Sequence, residues 1–383
     1  MASYKSATLA RRLTQAGAEV DVVLTRSAQE FVGSVTFEAL TGRAVHTELF
    51  EAGHALDHIR LARAADVIAI APATADFLSR AAAGRADDLL TACLLATKAP
   101  VFMAPAMNDR MWEHPQTGRN VAQLREIGYH LLDPDTGDLA VGEGSGPGRL
   151  PEPEVLMAHI GRLLEAQADL TNRHVLVTAG PTREAVDPVR FLSNRSSGKM
   201  GVALAAAAWR RGARVTLVCG PLSVPHPVGA TIVPVESVQE MHDAVRRALP
   251  SADVLVMAAA PADFRPATLA SEKIKKSTAP DAIALTPTTD ILQATVGDRG
   301  RDTVIVGFAL ETEDVLANAQ RKLEGKGLDL IVVNDAREDG AGFGVDTNRV
   351  TILQRRGAAE ALPLLSKDDV ADAILDRVVG LLR

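Results

Sequence analysis

The sequence predicts an α/β protein with two doubly wound parallel sheets, and three observations carry that reading. Short apolar runs of strand length recur between stretches of helical periodicity, at Asp66–Ala71, Pro100–Ala104, Ala252–Ala258 and Leu328–Val333. The chain, at 383 residues, is long enough for two separate cores. The stretch from His174 to Gly201 reads as strand, glycine turn, polar loop and helix, and a further strand, Arg214–Gly220, follows it. The boundaries this predicts are a first domain over 1–167, a short polar link over 168–173, and a second domain over 174–383.

In chain order, Tyr4–Ala16 is a basic helix stopped by Gly17, and Glu19–Thr25 is the strand after it. A doubly wound sheet normally opens on a strand that feeds a glycine turn, whereas this chain starts almost inside a helix, at MASYK. Asp57 begins another helix, on which His54 and His58 share a face at a spacing of four. That spacing suits a metal, but the H-E-x-x-H pattern needs Glu at 55 and finds Ala55, so a lone structural or solvated histidine is the simpler reading of His58. The strand before Pro105-Ala106-Met107-Asn108 delivers that segment at a sheet's C-terminal edge, where such folds place ligands. On spacing alone Asn108 is a helix cap and Met107 is packing. The stretch from Gly142 to Pro153 is so rich in Gly and Pro that it predicts an irregular lid. An amphipathic helix over Glu154–Gln167 closes the half.

In the second half, Val175, Leu176 and Val177 form a buried strand that stops at Ala179-Gly180-Pro181. Ser196 or Ser197 is the expected N-cap of a helix ending at Gly212. The arrangement sets unpaired amides and a helix's positive end beside Arg195 and Lys199, a place suited to phosphate or carboxylate. It is not the G-x-x-x-x-G-K-[ST] loop, because Ser193 and Met200 stand where Gly and Ser/Thr belong, nor is it G-x-G-x-x-G. An ordinary crossover with a long surface loop fits the same spacing. Helices over Val238–Leu249 and Asp314–Lys326 alternate with strands over Ala252–Ala258, Thr303–Gly307 and Leu328–Val333, which continues the parallel pattern. Lys273-Ile274-Lys275-Lys276, and Lys322 with Lys326 one helical turn apart, read on composition as solvated charge. Asn334-Asp335 ends a strand at another site-like position.

Composition excludes several classes. The net charge of −7 argues against a nucleic-acid or anionic-membrane surface, and no apolar run is long enough to cross a bilayer. The start has no signal-peptide pattern, so the expected location is cytoplasmic. Cys93 and Cys219 are far apart, without C-x-x-C spacing, and read as small core residues rather than a disulfide or zinc pair.

AGPTRE, DPVRFLSNRSSGKMG, AAPADFRP at 259–266 and EKIKK at 272–276 resemble the ligase half of the bifunctional phosphopantothenoylcysteine decarboxylase / phosphopantothenate–cysteine ligases of coenzyme A biosynthesis. PAMN at 105–108 and HIRLAR at 58–63 resemble the flavin-dependent decarboxylase half. The resemblance implies Rossmann-like and flavodoxin-like domains and two activities. CTP and Mg²⁺ convert 4′-phosphopantothenate into an acyl cytidylate that the cysteine amine attacks, and FMN then supports decarboxylation of 4′-phosphopantothenoylcysteine to 4′-phosphopantetheine. It implies catalytic roles for His58, Asn194 and Lys273, and substrate contacts by Asn108, Arg149 and Arg190. It also assigns nucleotide contacts to Asp263, Lys273, Thr289, Asp290, Ile291, Leu292, Phe308, Lys322 and Lys326, with Thr289 where Pro is common. The family has a strand and a Gly-Gly turn before its equivalent of Tyr4, so about a dozen residues, one strand plus its turn, are expected to be absent. Val141 stands where many members carry a proton-donating cysteine, and valine has no proton to give. The resemblance further implies homo-oligomers, with trimers of the flavin domain and dimers of the ligase domain. Two rivals stay open: an active ligase fused to a flavodoxin-like domain that does not decarboxylate, and a nicotinamide-dependent oxidoreductase, which lacks a clean G-x-G-x-x-G.

Overall fold

The computed structural model describes residues 2–50, 56–139, 142, 144–165, 168–275, 281–311, 315–335, 342 and 344–382. His54, Val141 and Lys276 lie outside the described residues. The chain divides into two compact units, Met1–Ala166 and Gln167–Arg383, both α/β with parallel sheets.

In the first unit, strands β1 (Val22–Val23) and β2 (Val45–His46) pair in parallel as a sheet of two. Strands β3 (Ile68–Ala73), β4 (Val101–Pro105) and β5 (His130–Leu131) form a separate parallel sheet of three. The single sheet expected for this half is therefore divided, and the strand expected over Glu19–Thr25 is only two residues long. The reason is that no described strand stands between β1 and β3 to carry the ladder across. Alternation along β4 builds two cores, with Phe102 and Ala104 against Leu156 and Ile160, and Val101 and Met103 against Phe77, Leu78 and Leu124. Leu24 and Phe37 make a small third cluster with Ala10 of the first helix, Ser3–Gln15.

The Gly/Pro-rich stretch, expected to be irregular, contains a regular strand over Ser145–Arg149. Strand β7 (Ser145–Arg149) pairs antiparallel with β6 (Asp135–Asp138) in a two-stranded ribbon. A proline is tolerated on such a ribbon's outer edge, and the register shift between Asp135 and Thr136 absorbs one extra residue beside Gly148. The helix after it spans Pro153–Leu164.

The second unit is built on eight strands: β8 (His174–Ala179), β11 (Arg214–Cys219), β12 (Ala230–Pro234), β13 (Val254–Met257), β16 (Val304–Glu311), β17 (Leu330–Asp335), β19 (Thr351–Gln354) and β20 (Glu360–Ala361). Their order across the sheet is β12-β11-β8-β13-β16-β17-β19-β20, so the chain runs outward one way from β8 and the other way from β13. The first six are parallel, whereas β19 and β20 pair antiparallel, a departure from the uniformly parallel alternation expected. Residue alternation splits the apolar content by face. Val175, Val177, Val254, Val256 and Val332 pack against helices Lys199–Arg210 and Lys367–Leu381. Leu176, Leu255, Ile305, Ile331 and Val333 pack against helices Val238–Ala248 and Val315–Gly325. Both faces are covered, which is why these strands read as near-continuous apolar runs.

The link expected over 168–173 packs onto this unit, with Leu170 fully buried and Asp169 Oδ2 accepting from Arg211 Nη2 at 2.5 Å. The polar loop expected after Ala179-Gly180-Pro181 holds a hairpin of β9 (Arg183–Ala185) and β10 (Phe191–Ser193). A second ribbon pairs β14 (Phe264–Pro266) with β15 (Leu285–Pro287).

Candidate active site

A site of the second unit lies where the strand order reverses, outside the C-terminal ends of β8 and β13, the usual ligand crevice of an open α/β sheet. The two loops leaving these strands are stitched together. Ala260 N donates to Gly180 O at 2.9 Å, Ala262 N to Thr182 Oγ1 at 2.9 Å, and Ala259 N to Thr178 Oγ1 at 3.1 Å. Asn194 Nδ2 donates to the carbonyls of Ala260 and Pro261, at 3.0 and 2.9 Å.

Beside this floor the helix Lys199–Arg210 begins. Its N-cap is Gly198, at φ 78°, and not Ser196 or Ser197. The turn needs the left-handed conformation, and a Cβ there would sit 2.2 Å from Leu222 Cδ2. The two serines instead accept locally, Ser196 Oγ from Gly198 N at 3.3 Å and Ser197 Oγ from Lys199 N at 3.5 Å. Gly201 brings the helix onto β8, since a Cβ at that position would lie 2.5 Å from Ala179 Cβ.

A cavity of about 360 Å³ opens there, within the range of small-molecule sites. Of the nucleotide-contact residues expected from the sequence, it gathers Asp263, Thr289, Asp290, Ile291, Leu292, Phe308, Lys322 and Lys326, together with the helix start at Ser196–Met200. Thr288 joins the walls, its N donating to Asp263 O at 3.0 Å and its Oγ1 to Ala262 O at 2.5 Å. Two lysines and a helix's amide end around one space can hold a polyphosphate, while Phe308 offers a flat apolar face.

Asn194, Arg190 and Lys273 are not among the lining residues, and neither is Arg195. Asn194 adjoins the cavity through Ala260 and Pro261, whereas Arg190 contacts Ile274, the neighbour of the exposed Lys273. Arg190 Nη1 donates to Asp187 Oδ2 at 2.7 Å and to Ile274 O at 3.0 Å.

The cavity wall also contains Lys199 and Asn334, which the sequence marked as site-like, and Lys367, which it did not mark. Lys367 is buried and donates from Nζ to the carbonyls of Gly342 and Val345; burial, with the neighbouring Lys199 charge, holds its pKa below the usual lysine value. Lys199 Nζ donates to Gly344 O at 2.8 Å and to Asp346 Oδ1 at 2.6 Å. Asn334 Nδ2 donates to Asn348 Oδ1 on the same wall. Ser366-Lys367 reads as an ordinary helix start, and only the tertiary fold turns that lysine inward.

In the first unit, Asn108 caps a short helix, its Oδ1 accepting from Arg110 N at 3.0 Å. Strand β7 packs on that turn: Met107 N donates to Gly148 O at 3.0 Å, and a Cβ on Gly148 would lie 2.1 Å from Met107 O. Arg149, at the end of β7, is thus carried next to the Asn108 turn. His58 lies on the helix Asp57–Ala64, and among the described residues no hydrogen bond joins it to Asn108 or Arg149. Its Nδ1 is buried and has no hydrogen-bond partner among the described residues, which costs on the order of 1–3 kcal/mol unless another group supplies one. That orphaned nitrogen fits a site that holds a polar cofactor. Cys93 Sγ donates to His58 O at 3.5 Å, and burial pushes its thiol up to about 11, so it stays protonated. No group of three or more His, Cys, Asp and Glu side chains among the described residues is placed to hold a metal ion. No helix among them is long and apolar enough to cross a membrane.

Residues 1–165 match the flavoprotein family and residues 170–381 match the DNA/pantothenate metabolism flavoprotein C-terminal domain. The coenzyme A biosynthesis bifunctional protein CoaBC of Bacillus subtilis is 46% identical over 386 residues, covering 100% of this chain and 95% of the relative. That of Mycobacterium tuberculosis H37Rv is 49% identical over 397 residues, covering 100% and 94%. The crystal structure of a CoaBC C-terminal domain is 39% identical, covers 56% of this chain and 97% of its own, and superposes with a TM-score of 0.48. With relatives this similar along its whole length, the chain belongs to the bifunctional CoaBC family of coenzyme A biosynthesis proteins.

Proposed function

We propose that this chain is both a phosphopantothenate–cysteine ligase, in its second unit, and a flavin-dependent phosphopantothenoylcysteine decarboxylase, in its first. The observation that carries the ligase reading is the cavity in which Asp263, Thr289–Leu292, Phe308, Lys322 and Lys326 meet the start of helix Lys199–Arg210. In this reading CTP takes the cavity, with its triphosphate toward the lysines and helix amides and its base toward Phe308. A carboxylate oxygen of 4′-phosphopantothenate attacks the α-phosphorus and pyrophosphate leaves, giving the acyl cytidylate. The cysteine amine then attacks the acyl carbon, and CMP leaves with the bonding pair. Activation is needed because a carboxylate oxygen is a poor leaving group until it is esterified to phosphate. Lys273 would offset charge developing on the phosphates, and Arg190 and Asn194 would hold the acyl substrate. Magnesium would supply positive charge to offset that of the triphosphate.

In the first unit the buried Nδ1 of His58 would address the flavin, FMN, and Asn108 and Arg149 would orient the substrate. Bound FMN supplies the two-electron oxidation and return reduction of the decarboxylation. The exposed apolar side chains of the first unit, Phe31, Val35 and Phe50, and those on the two ribbons of the second, Val189, Phe191, Phe264 and Leu285, suit subunit contacts. They support the reading of flavin-unit trimers and ligase-unit dimers, which light scattering of the purified chain measures directly.

Purified protein given CTP, magnesium and 4′-phosphopantothenate should release pyrophosphate, and adding cysteine should yield 4′-phosphopantothenoylcysteine and then CO₂. A chain that folds and releases no pyrophosphate would overturn the ligase reading. Product that accumulates without CO₂ would favour a first unit that binds flavin or assembles without decarboxylating.

A further inference from the structure

The turn after β9 contains a carboxylate with two tasks. Asp187 is buried, its side chain 0% exposed. Its Oδ1 accepts from Val189 N and Arg190 N, both at 2.8 Å, and so closes its own turn. Its Oδ2 looks the other way, to Arg190 Nη1 at 2.7 Å and to Ile274 N at 3.1 Å, 87 residues along the chain. Arg190 Nη1 also reaches Ile274 O at 3.0 Å. Ile274 is therefore held by both its N–H and its C=O, much as a neighbouring strand would hold it, and Ala270 N adds a bond to Val186 O at 3.1 Å. Burial tends to raise the Asp187 pKa, but the hydrogen bonds from Val189, Ile274 and Arg190, with the guanidinium charge, hold the carboxyl below its usual range. The group is an anion with several donors converging on it, two of which belong to the pair that grips the lysine segment.

We propose that Asp187 is a positioning residue for the ligase reaction: with Arg190 it docks the backbone of Ile274 and thereby sets where the flanking Lys273 can reach. The proposal rests on the ligase reading above and adds the residue that places its lysine. Asp187 touches no reacting atom in this account. It fixes the anchor from which a flexible side chain of four methylenes works, and a misplacement of about 1 Å at such an anchor can cost on the order of 100-fold.

The two-sided geometry makes Asp187→Asn informative. The retained oxygen can still accept from Val189 and Arg190, while the new amide sets a donor against the donors of Ile274 and the Arg190 side chain. The expected result, in pyrophosphate release with CTP, magnesium and 4′-phosphopantothenate, is a kcat lowered about 10- to 100-fold with the KM for CTP within about twofold. The same substitution made in a Lys273→Gln chain should cost nothing further, because the two act through one group. Ile274→Pro leaves Asp187 itself unaltered but replaces the docking N–H with a ring carbon set against Oδ2, and should reproduce the kcat loss; it reports the same dock if Asp187→Asn does not fold. Full kcat in Asp187→Asn or in Ile274→Pro, or an equal loss with and without Lys273, would overturn the dock while leaving the ligase reading intact. A wild-type chain that releases no pyrophosphate would overturn both.

Discussion

Lys326 Nζ stands 2.8 Å from Asp290 Oδ2, so the end of helix Val315–Gly325 is tied to the turn that precedes Ile291 across the cavity. The pair is partly exposed, and its share of stability is modest, about 0–1 kcal/mol. Its larger consequence is placement: the carboxylate keeps the ammonium at the cavity edge until a more highly charged partner enters. Lys326→Gln should therefore raise the KM for CTP roughly tenfold, a loss of one charge-assisted contact, while shifting the melting temperature little. Initial-rate kinetics across CTP concentration, with a thermal melt alongside, check it.

Lys273 is the cation expected to act on the chemical step rather than on nucleotide capture. Lys273→Gln should slow pyrophosphate release on the order of 100-fold, with CTP binding by calorimetry nearly unchanged, because the residues that line the cavity are untouched. An unchanged rate would remove Lys273 from the mechanism.

His58→Ala should abolish most CO₂ release from 4′-phosphopantothenoylcysteine, by roughly 100-fold or more, while leaving pyrophosphate release at the wild-type rate. The two activities belong to separate compact units, so the second serves as an internal check that the chain is folded.

His174 gives the second unit a pH dependence. It is buried at the start of β8, with Nδ1 2.9 Å from Ser251 O and Nε2 2.9 Å from Thr216 Oγ1. Burial lowers its pKa, and the Arg214 charge adds to this, against the opposing pull of the Ser251 carbonyl and Asp253. A histidine whose folded pKa is depressed stays neutral in the native state while the unfolded chain takes up a proton below about pH 6.5. Stability is then fully present above that pH and falls as pH drops toward the folded value. Urea midpoints followed from pH 7 to pH 5 should decline, and His174→Gln should flatten that slope.

Much of this architecture was legible because apolar runs fully buried on both faces are hard to disguise: β8, β13, β16 and β17 lie within a few residues of their expected bounds. What escaped was set by contacts distant in sequence. The hairpin over Arg183–Ser193 and the ribbon of β7 are short, polar or glycine-rich, and pair only because a partner strand is delivered to them. Gly198 rather than a serine caps its helix because the backbone must pass close to Gly180 and Leu222, a demand that local propensity does not record. Of the expected nucleotide contacts, Asp263 and Lys273 stood in long motifs and the rest were reached only through the family resemblance, whereas Lys367 carried no local sign that its ammonium is buried. Asp187 was part of a recognised motif, and its reach to Ile274 needed the fold.

The side-chain amide of Asn194 spends both of its hydrogens on the carbonyls of Ala260 and Pro261, which leaves its oxygen as the only polar atom it can still offer. A lone-pair end repels a carboxylate and welcomes an N–H. In this rotamer the residue would greet the amide nitrogen of a pantothenoyl chain or an incoming ammonium, and to grip an acyl oxygen it must first let go of the loop beneath it.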